Sequence, residues 1–209
     1  MTRADGASPL FVCHGCGAVV DIARRLPFAC PNAGTAGDDV DHLLVAAADG
    51  QGLVVGHEAN PFLRYRRWLT PYRLARAAGL DDDAWTELVG ELDAALLAVD
   101  GRGFRLTPMS RQSALAEALG LTRGLWVKDE TGNVSGSHKG RHLMGVMLYL
   151  RVLESAGLPA ARGLRTRRLA IASCGNAALA AAAIARAAEW PLDVFIPADA
   201  ESEVVRRFS

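Results

Sequence analysis

The sequence predicts an α/β fold that follows a small, cysteine-containing β segment. Two short apolar stretches, at 169–172 and 192–196, flank an alanine-rich helical pattern, and the first of them is expected to be a short buried strand. This β–α–β pattern is typical of parallel strands joined by a helix. Helical periodicity begins at Asn60 and dominates the middle of the chain. Before it, residues 1–56 are rich in Gly and Asp and carry short apolar runs that indicate small β-hairpins.

The composition is that of a soluble globular protein, because half of the 209 residues are hydrophobic and 22% are charged. The 23 basic and 23 acidic residues give a formal net charge of +0, which argues against an extended nucleic-acid surface. The N-terminus lacks the apolar core of a signal peptide, and the alanine-rich stretch is too weakly hydrophobic for a membrane span. A cytoplasmic location, with no membrane partner, is therefore expected.

The first cysteines have the spacing of a zinc knuckle. Two residues separate Cys13 from Cys16, and one of them is a glycine that permits the tight turn. Cys30 follows at a distance typical of a zinc ribbon. A complete ribbon would have a fourth cysteine near Ala33, which this chain lacks. His42 is the nearest spare ligand, so a structural zinc site of three cysteines and one histidine is one prediction. The alternative is a degenerate ribbon without metal.

The segment between the cysteines and the β–α–β pattern is predicted to be largely helical. Asn60 and the proline after it cap a basic amphipathic helix that is expected to be interrupted before Pro71. The acidic run 81–83 caps the next helix, which is expected to end near Asp100. A further helix is predicted at 110–119.

A single lysine stands between a polar turn and a long helical pattern. Leu125–Val127 reads as a strand, residues 132–137 form a turn rich in Gly, Ser and Asn, and Lys139 precedes a helix expected to stop at Gly157. The turn amides and the positive end of the helix dipole suit an anion and favour a neutral lysine amine, which attacks carbonyl groups. The predicted apolar face of this helix comprises Leu143, Val146, Met147, Leu150 and Leu153.

A second polar turn joins the first strand of the β–α–β pattern to its helix. A turn of this kind at a helix N-terminus forms an anion nest. Asn176 adds an amide that can hydrogen-bond a phenolic oxygen. The thiol of Cys174 is expected to be packed and inert rather than reactive. The residues of this turn are Ser173, Cys174, Gly175 and Asn176.

The stretch KDETGNVSGSHKGR, from Lys128 to Arg141, resembles the lysine segment of fold-type-II pyridoxal-phosphate (PLP) enzymes, and most closely that of threonine synthases. Their pattern is similar to K-D-E-T-x-N-x-T-G-S-F-K-D-R. The resemblance implies that Lys139 holds PLP as the internal aldimine and shuttles protons. It also implies that Asn176 contacts the 3′-oxygen of the cofactor and that the turn 173–176 receives the substrate carboxylate. His138, where Phe is usual, and Gly140, where Asp is usual, bear on the substrate more than on the cofactor.

The resemblance also implies a domain plan. A zinc-ribbon-like segment at 1–56 and a helical connecting segment at 57–105 would precede a partial PLP-enzyme domain at 106–209. That domain would contain the lysine segment 126–156 and the β–α–β unit 167–209. Family members carry a Gly-rich phosphate loop after the Asn turn, and no such pattern follows here. The chain is therefore expected to match the N-terminal half of a fold-type-II enzyme and to bind PLP weakly by itself.

The expected function is that of a PLP-dependent lyase of amino-acid metabolism, of the elimination or replacement type and similar to threonine synthase. Its partners would be a small amino-acid substrate and either a second copy of the chain or a complementing C-terminal half. The alternative is a truncated, non-catalytic relative that acts as a binding or assembly module. A zinc-ribbon module that engages nucleic acid is disfavoured by the balanced charge.

Overall fold

The chain forms two compact units. The first comprises Met1–His57, Phe62–Val89 and Gly145–Arg167, and the second comprises Glu58–Pro61, Gly90–Met144 and Arg168–Ser209. The computed structural model describes residues 10–22, 24, 27–35, 37–47, 54–200 and 202–206. Parts of the segment expected to be ribbon-like, at 1–9 and 48–53, lie outside the described residues. No helix in the described part of the chain is long and apolar enough to cross a membrane.

A three-stranded antiparallel sheet lies in the first unit. Its strands are β1 (Phe11–Cys13), β2 (Val19–Val20) and β3 (Leu44–Ala46), in the order β2-β1-β3. The strands are as short as the sequence predicts. The ring of Tyr149 lies 6.4 Å from that of Phe11 and 6.3 Å from that of Phe28, so the segment packs on an aromatic side chain of a helix in the same unit.

The helices that follow β3 agree with the sequence pattern. They are α1 (Pro61–Arg64), a 3₁₀ turn (Arg66–Trp68), α2 (Thr70–Ala77) and α3 (Asp82–Asp100). The expected interruption before Pro71 occurs at Leu69, whose backbone is extended. Asp81 caps α3, because its carboxylate accepts the N–H of Ala84 at 2.9 Å. Trp85, which is fully buried, packs edge-on against Tyr72 with ring centroids 5.5 Å apart.

The second unit contains an antiparallel strand pair next to a short helix. Its elements are β4 (Met109–Arg111), α4 (Ser113–Ala118) and β5 (Trp126–Lys128). The predicted helix start at Ser110 is wrong, because Ser110 pairs with Val127 in the β4–β5 ladder. The backbone there gains cross-strand hydrogen bonds that outweigh its weak helical pattern. The pairing continues to Gln112, whose N–H donates to Leu125 O at 2.8 Å, and the helix begins only after it.

The long helix α5 (Lys139–Ser155) begins at the lysine, as predicted. The chain leaves the helix at Gly157, where a φ of +60° favours glycine. The predicted apolar face is wrong at Val146, which is 45% exposed. The buried residues of α5 occupy a wider part of the helix surface than the single apolar face that was predicted. The most buried residues of α5 are Met144, Met147, Leu148, Val152 and Leu153.

The predicted β–α–β unit forms as parallel strands. It consists of β6 (Leu169–Ala172), α6 (Asn176–Ala187) and β7 (Leu192–Phe195), followed by α7 (Ser202–Arg206). The expectation that β6 is a buried strand is wrong, because its residues alternate between half-buried and exposed. Helix α6 packs against both strands on one face of the pair. The opposite face is open, and Phe195 there is 63% exposed.

Candidate functional site

The turn between β5 and α5 is fixed by its own polar side chains. Asp129 opens it, because its carboxylate accepts the N–H of Thr131 at 2.9 Å and the hydroxyl of Thr131 at 2.6 Å. Asn133 closes it, because its side-chain amide donates to Ser137 O at 2.8 Å. Since Asn133 is 1% exposed, its contact holds the turn from the buried side, whereas the contacts of Asp129 lie on the exposed side. The lysine that follows is thereby presented in a defined position.

The middle of this turn is strained and polar. Ser135 adopts a left-handed backbone conformation with a φ of 58°, which is unfavourable for residues other than glycine. Its N–H donates to the carboxylate of Asp100 at 3.0 Å, which anchors the turn to the end of α3. Two buried acceptor atoms of the turn, Ser135 Oγ and Asn133 Oδ1, have no hydrogen-bond partner among the described residues. Buried polar atoms without a partner are rare in folded proteins, so these two mark the turn as unusual.

Lys139 presents a free amine at the start of α5. Its side chain is exposed, and its backbone N–H donates to Ser137 Oγ at 3.3 Å. Within the described part of the chain, its amine has no hydrogen bond and no ion pair. The sequence contains one other lysine, Lys128, and its amine donates to Thr107 O. Lys139 is therefore the lysine whose amine is available to a carbonyl compound.

A charged pair joins the two ends of the lysine turn. Arg141, in the first turn of α5, donates from Nε to Glu130 Oε2 at 2.8 Å and from Nη2 to Glu130 Oε1 at 3.3 Å. Burial by itself would raise the pKa of Glu130, but hydrogen bonds from Arg141 and Thr107 outweigh it and lower that pKa. Glu130 is therefore a carboxylate at neutral pH and makes a charge-assisted, two-point contact.

The same arginine reaches the segment that precedes β4. Its Nη2 donates to Arg105 O and to Thr107 Oγ1, each at 3.1 Å. The hydroxyl of Thr107 donates in turn to the carboxylate of Glu130. Residues 105–107 and both ends of the lysine turn thus share one hydrogen-bond network.

Gly140 permits a close contact beside the lysine. A Cβ at this position would lie 2.9 Å from Val134 O and 3.6 Å from the ring of Phe104. Side chains are not accommodated at 2.9 Å from a backbone atom without a shift of the backbone. The glycine that replaces the aspartate of the resembled pattern therefore has a steric role, since it lets the first turn of α5 approach the lysine turn.

The turn 173–176 lies where the sequence predicts, between β6 and α6. Ser173 extends the strand pairing, because its N–H donates to Phe195 O at 3.1 Å. Its hydroxyl accepts the N–H of Gly175 at 3.3 Å. The expectation that Cys174 is packed is wrong, because its side chain is exposed on the turn. Asn176 is also exposed and is the first residue of α6. The 3₁₀ turn Val134–Gly136 packs against α6, so the lysine turn and the helix headed by Asn176 are neighbours.

A cavity of about 410 Å³ adjoins the lysine turn. The buried Ser135 is part of its wall, as are the carboxylate-bearing Asp100 and the cationic Arg186. Apolar side chains of α6 and β7 complete it, among them Leu179, Leu192 and Val194.

The four predicted metal ligands lie together in the first unit. The ligand atoms of Cys13, Cys16, Cys30 and His42 are all within 4.8 Å of one another. The two sulfurs of Cys16 and Cys30 are 3.5 Å apart, and Cys13 Sγ is 3.6 Å from His42 Nδ1. A tetrahedral zinc ion with bonds of about 2.3 Å to sulfur and about 2.0 Å to nitrogen keeps its ligands about 3.5–3.8 Å apart. The donor set and these two spacings therefore fit zinc.

Hydrogen bonds adjust the protonation of this cluster. A hydrogen bond from the backbone of Ala18 is the main reason that the pKa of Cys16 falls to about 6. Burial raises the pKa of Cys30. The hydrogen bond to Asp38 raises the pKa of His42 to about 9. Since metal ligands bind in their deprotonated forms, a metal bound here would displace protons and would bind more weakly as the pH falls.

The family comparison covers the part of the chain that contains both turns. Residues 102–208, just over half of the chain, match the family described as "Pyridoxal-phosphate dependent enzyme". The chain therefore belongs to this PLP-dependent enzyme family. The matched segment contains Lys139 and the turn 173–176. No curated protein and no solved structure matches the sequence significantly.

Several residues of the site were not predicted from the sequence. They are Glu130 and Arg141, which bracket the lysine turn, Asp100, which anchors it, and Asp38, which contacts His42. For Glu130 and Arg141, a signal was present, because opposite charges stand at the two ends of a turn. Asp38 lies four residues before His42 in a run of acidic residues, and the sequence does not tell which carboxylate of that run makes the contact.

Proposed function

We propose that this chain acts on amino acids as a PLP-dependent enzyme of the elimination or replacement type, with Lys139 as the residue that holds the cofactor. The observation that carries the proposal is the free amine of Lys139 at the N-terminus of α5, inside the segment that matches the family. PLP supplies an electron sink that stabilises negative charge on the substrate carbon atom next to the amino group. The protein must hold that group and move protons beside it.

The residues of the site have distinct tasks in this proposal. The Nζ atom of Lys139 would hold the cofactor through its aldehyde carbon, with loss of water, and would carry a proton to or from the substrate. The N-terminal amides of α5 favour an anionic group close to the lysine. Asn176 orients the ring through its side-chain amide, and the backbone of the turn 173–176 binds the substrate carboxylate. Because the N–H groups of Ser173 and Gly175 are already engaged, the carboxylate is bound by the remaining donors of that turn.

A titration with PLP, followed by absorbance, tests the role of the lysine. The variants are Lys139→Arg and, as matched control, Lys128→Arg, since both keep the positive charge. We expect the wild type and the control to develop the absorbance band of a lysine-bound cofactor and Lys139→Arg to lack it. A band of equal strength in Lys139→Arg would contradict the proposal.

The specificity proposed here is similar to that of threonine synthase. The supporting observation is the stretch from Lys128 to Arg141, with its departures at His138 and Gly140. Assaying phosphate release from O-phosphohomoserine with PLP-loaded protein tests this specificity. β-elimination from serine, assayed in parallel, distinguishes a failure of the substrate assignment from a failure of PLP-dependent catalysis in general.

We also propose that Cys13, Cys16, Cys30 and His42 hold a structural zinc ion. Four protein ligands would close the coordination sphere, so the ion would stabilise the loops around β1–β3 and take no part in catalysis. Elemental analysis of protein purified without chelator should give one zinc per chain, falling towards zero in Cys16→Ser. Zinc-free protein that does not take up the ion would contradict the proposal.

A second candidate function is that of an assembly module without catalysis. Parallel sheets are normally covered on both faces, whereas the face of β6 and β7 that bears Phe195 is open. A second copy of the chain or a complementing half could cover it. Sedimentation analysis of the wild type and of Phe195→Ser tests this, because an assembly through this face should weaken in the variant. A monomeric wild type would exclude self-assembly.

A further inference from the structure

The carboxylate of Asp38 contacts the His42 ring on the side away from the cysteines. His42 Nδ1 faces Cys13 Sγ at 3.6 Å, whereas His42 Nε2 lies 2.6 Å from Asp38 Oδ2. The two ring nitrogens therefore have different neighbours. We propose that Asp38 is a positioning residue that fixes His42 in the tautomer whose Nδ1 binds the metal and whose Nε2 carries a proton. This inference rests on the proposed zinc site.

Asp38 is itself held in place. Its other carboxylate oxygen, Oδ1, accepts the N–H of Val40 at 2.9 Å. The carboxylate thus lies between a backbone donor and the imidazole ring, and each oxygen has one partner. The side chain of Asp38 is 24% exposed and that of His42 is 10% exposed, so water does not freely replace this contact. A fixed carboxylate can fix the rotation of the ring as well as its tautomer.

The backbone brings this pair to the zinc knuckle. The N–H of His14 donates to Leu43 O at 2.8 Å, next to the cross-strand pair Cys13–Leu44. A Cβ on Gly15 would lie 2.3 Å from Asp41 O, so the knuckle contacts the backbone beside His42 directly. Main-chain contacts therefore bring the loop that carries His42 to the zinc knuckle. The orientation of the His42 ring is then determined by Asp38.

The charge of the cluster indicates that Asp38 contributes to zinc binding by orienting His42 rather than by attracting the ion. Three thiolates and a divalent zinc ion give a net charge of −1, so a fourth negative charge nearby adds little attraction for the ion. To fix the ring, His42 Nε2–H needs a hydrogen-bond acceptor, and that acceptor can be charged or neutral. An asparagine oxygen could supply one, whereas an alanine could not. Asp38→Asn should therefore retain most of the zinc affinity that Asp38→Ala loses.

Zinc competition with a chromophoric chelator, performed on the full chain, tests the effect on affinity. We expect Asp38→Ala to weaken zinc binding about 10- to 100-fold, the range for loss of a group that orients a metal ligand. Asp38→Asn should stay within a few-fold of the wild type. Asp39→Ala, an exposed neighbour of the same charge, is the matched control and should bind like the wild type.

The same measurement in a His42→Ala background separates positioning from a general effect on folding. A residue that acts through His42 has nothing to position once the ring is removed, so Asp38→Ala should then cause no further loss. Nitrogen-15 NMR of histidine-labelled, zinc-loaded protein should show His42 bound through Nδ1 with a proton on Nε2.

Three results would overturn the proposal. They are binding by Asp38→Ala as tight as in the wild type, an equal loss in the His42→Ala background, and coordination through Nε2. A wild type that binds no zinc would remove the proposed metal site itself, and the competition assay distinguishes that outcome from a failure of Asp38 alone.

Discussion

The guanidinium of Arg141 contacts both carboxylate oxygens of Glu130, at 2.8 and 3.3 Å, and so joins the two ends of the turn that leads to Lys139. The pair is largely buried, with 16% of the Glu130 side chain and 26% of the Arg141 side chain exposed. A lysine that must meet a cofactor needs a fixed backbone on both sides.

Glu130→Gln should lower the free energy of unfolding by about 1.5–3 kcal/mol, the range for hydrogen bonds to charged groups. Because the pKa of Glu130 is lowered in the folded chain, its contribution is present above the ordinary glutamate pKa of about 4.3 and is lost as the pH falls through the lowered value. Urea unfolding at pH 7 and pH 3 measures both effects. A difference between the variant and the wild type that is as large at pH 3 as at pH 7 would contradict this account.

Gly140→Ala should destabilise the chain by about 1–3 kcal/mol, although alanine favours helices, because the added methyl group would lie 2.9 Å from Val134 O. Gly145→Ala is the matched control in the same helix, since nothing lies within 4 Å of its Cβ position. The control should gain up to about 1 kcal/mol from helix propensity. Thermal unfolding of both variants checks the prediction, which fails if the two shift in the same direction.

Tyr149→Phe should raise the free energy of unfolding by about 1 kcal/mol, because the buried Tyr149 hydroxyl has no partner among the described residues. Burial also raises the pKa of Tyr149 to about 12. The unfolded chain ionises its tyrosines from about pH 10, so wild-type stability should fall between about pH 10 and pH 12. The variant should lack that part of the fall. Stability profiles of the two proteins that stay parallel above pH 10, instead of diverging, would contradict this account.

Removal of the proposed zinc ion should loosen the loops around β1–β3. A chelator should increase amide hydrogen exchange near Cys13 and Cys30, because the residues that follow each of them, 14–17 and 31–35, are exposed. The β–α–β unit, which contains no ligand of the cluster, serves as an internal control and should exchange as before. Unchanged protection around the cysteines would indicate that the segment folds without metal.

The sequence predicted the elements whose patterns are local. The limits of β6, the start of α5 at the lysine and the interruption before Pro71 follow from short apolar runs, polar turns and proline, and the structure agrees with them. The strand at Ser110 was missed because its partner, Val127, lies 17 residues away and its own pattern is weakly helical. Pairings of this kind depend on tertiary contacts.

Those parts of the site that have a local sequence pattern could also be predicted. Lys139 and Asn176 stand in recognisable turns, and the cysteine spacing together with the nearest spare histidine yielded the four clustered ligands. The contacts of Asp38, Asp100 and Arg141 could not be derived, because each joins segments whose approach is decided by the folded backbone. The exposed position of Val146 likewise reflects which sides of α5 are covered, which periodicity alone does not determine.

The most direct test of the central claim is to trap the cofactor on the protein and locate it. Protein equilibrated with PLP is reduced with borohydride, which makes even weakly populated lysine adducts permanent, and is then digested and mapped by mass spectrometry. Because the sequence contains two lysines, the result is unambiguous. The account predicts modification at Lys139 in large excess over Lys128. Equal modification of both lysines, or none at Lys139, would contradict it.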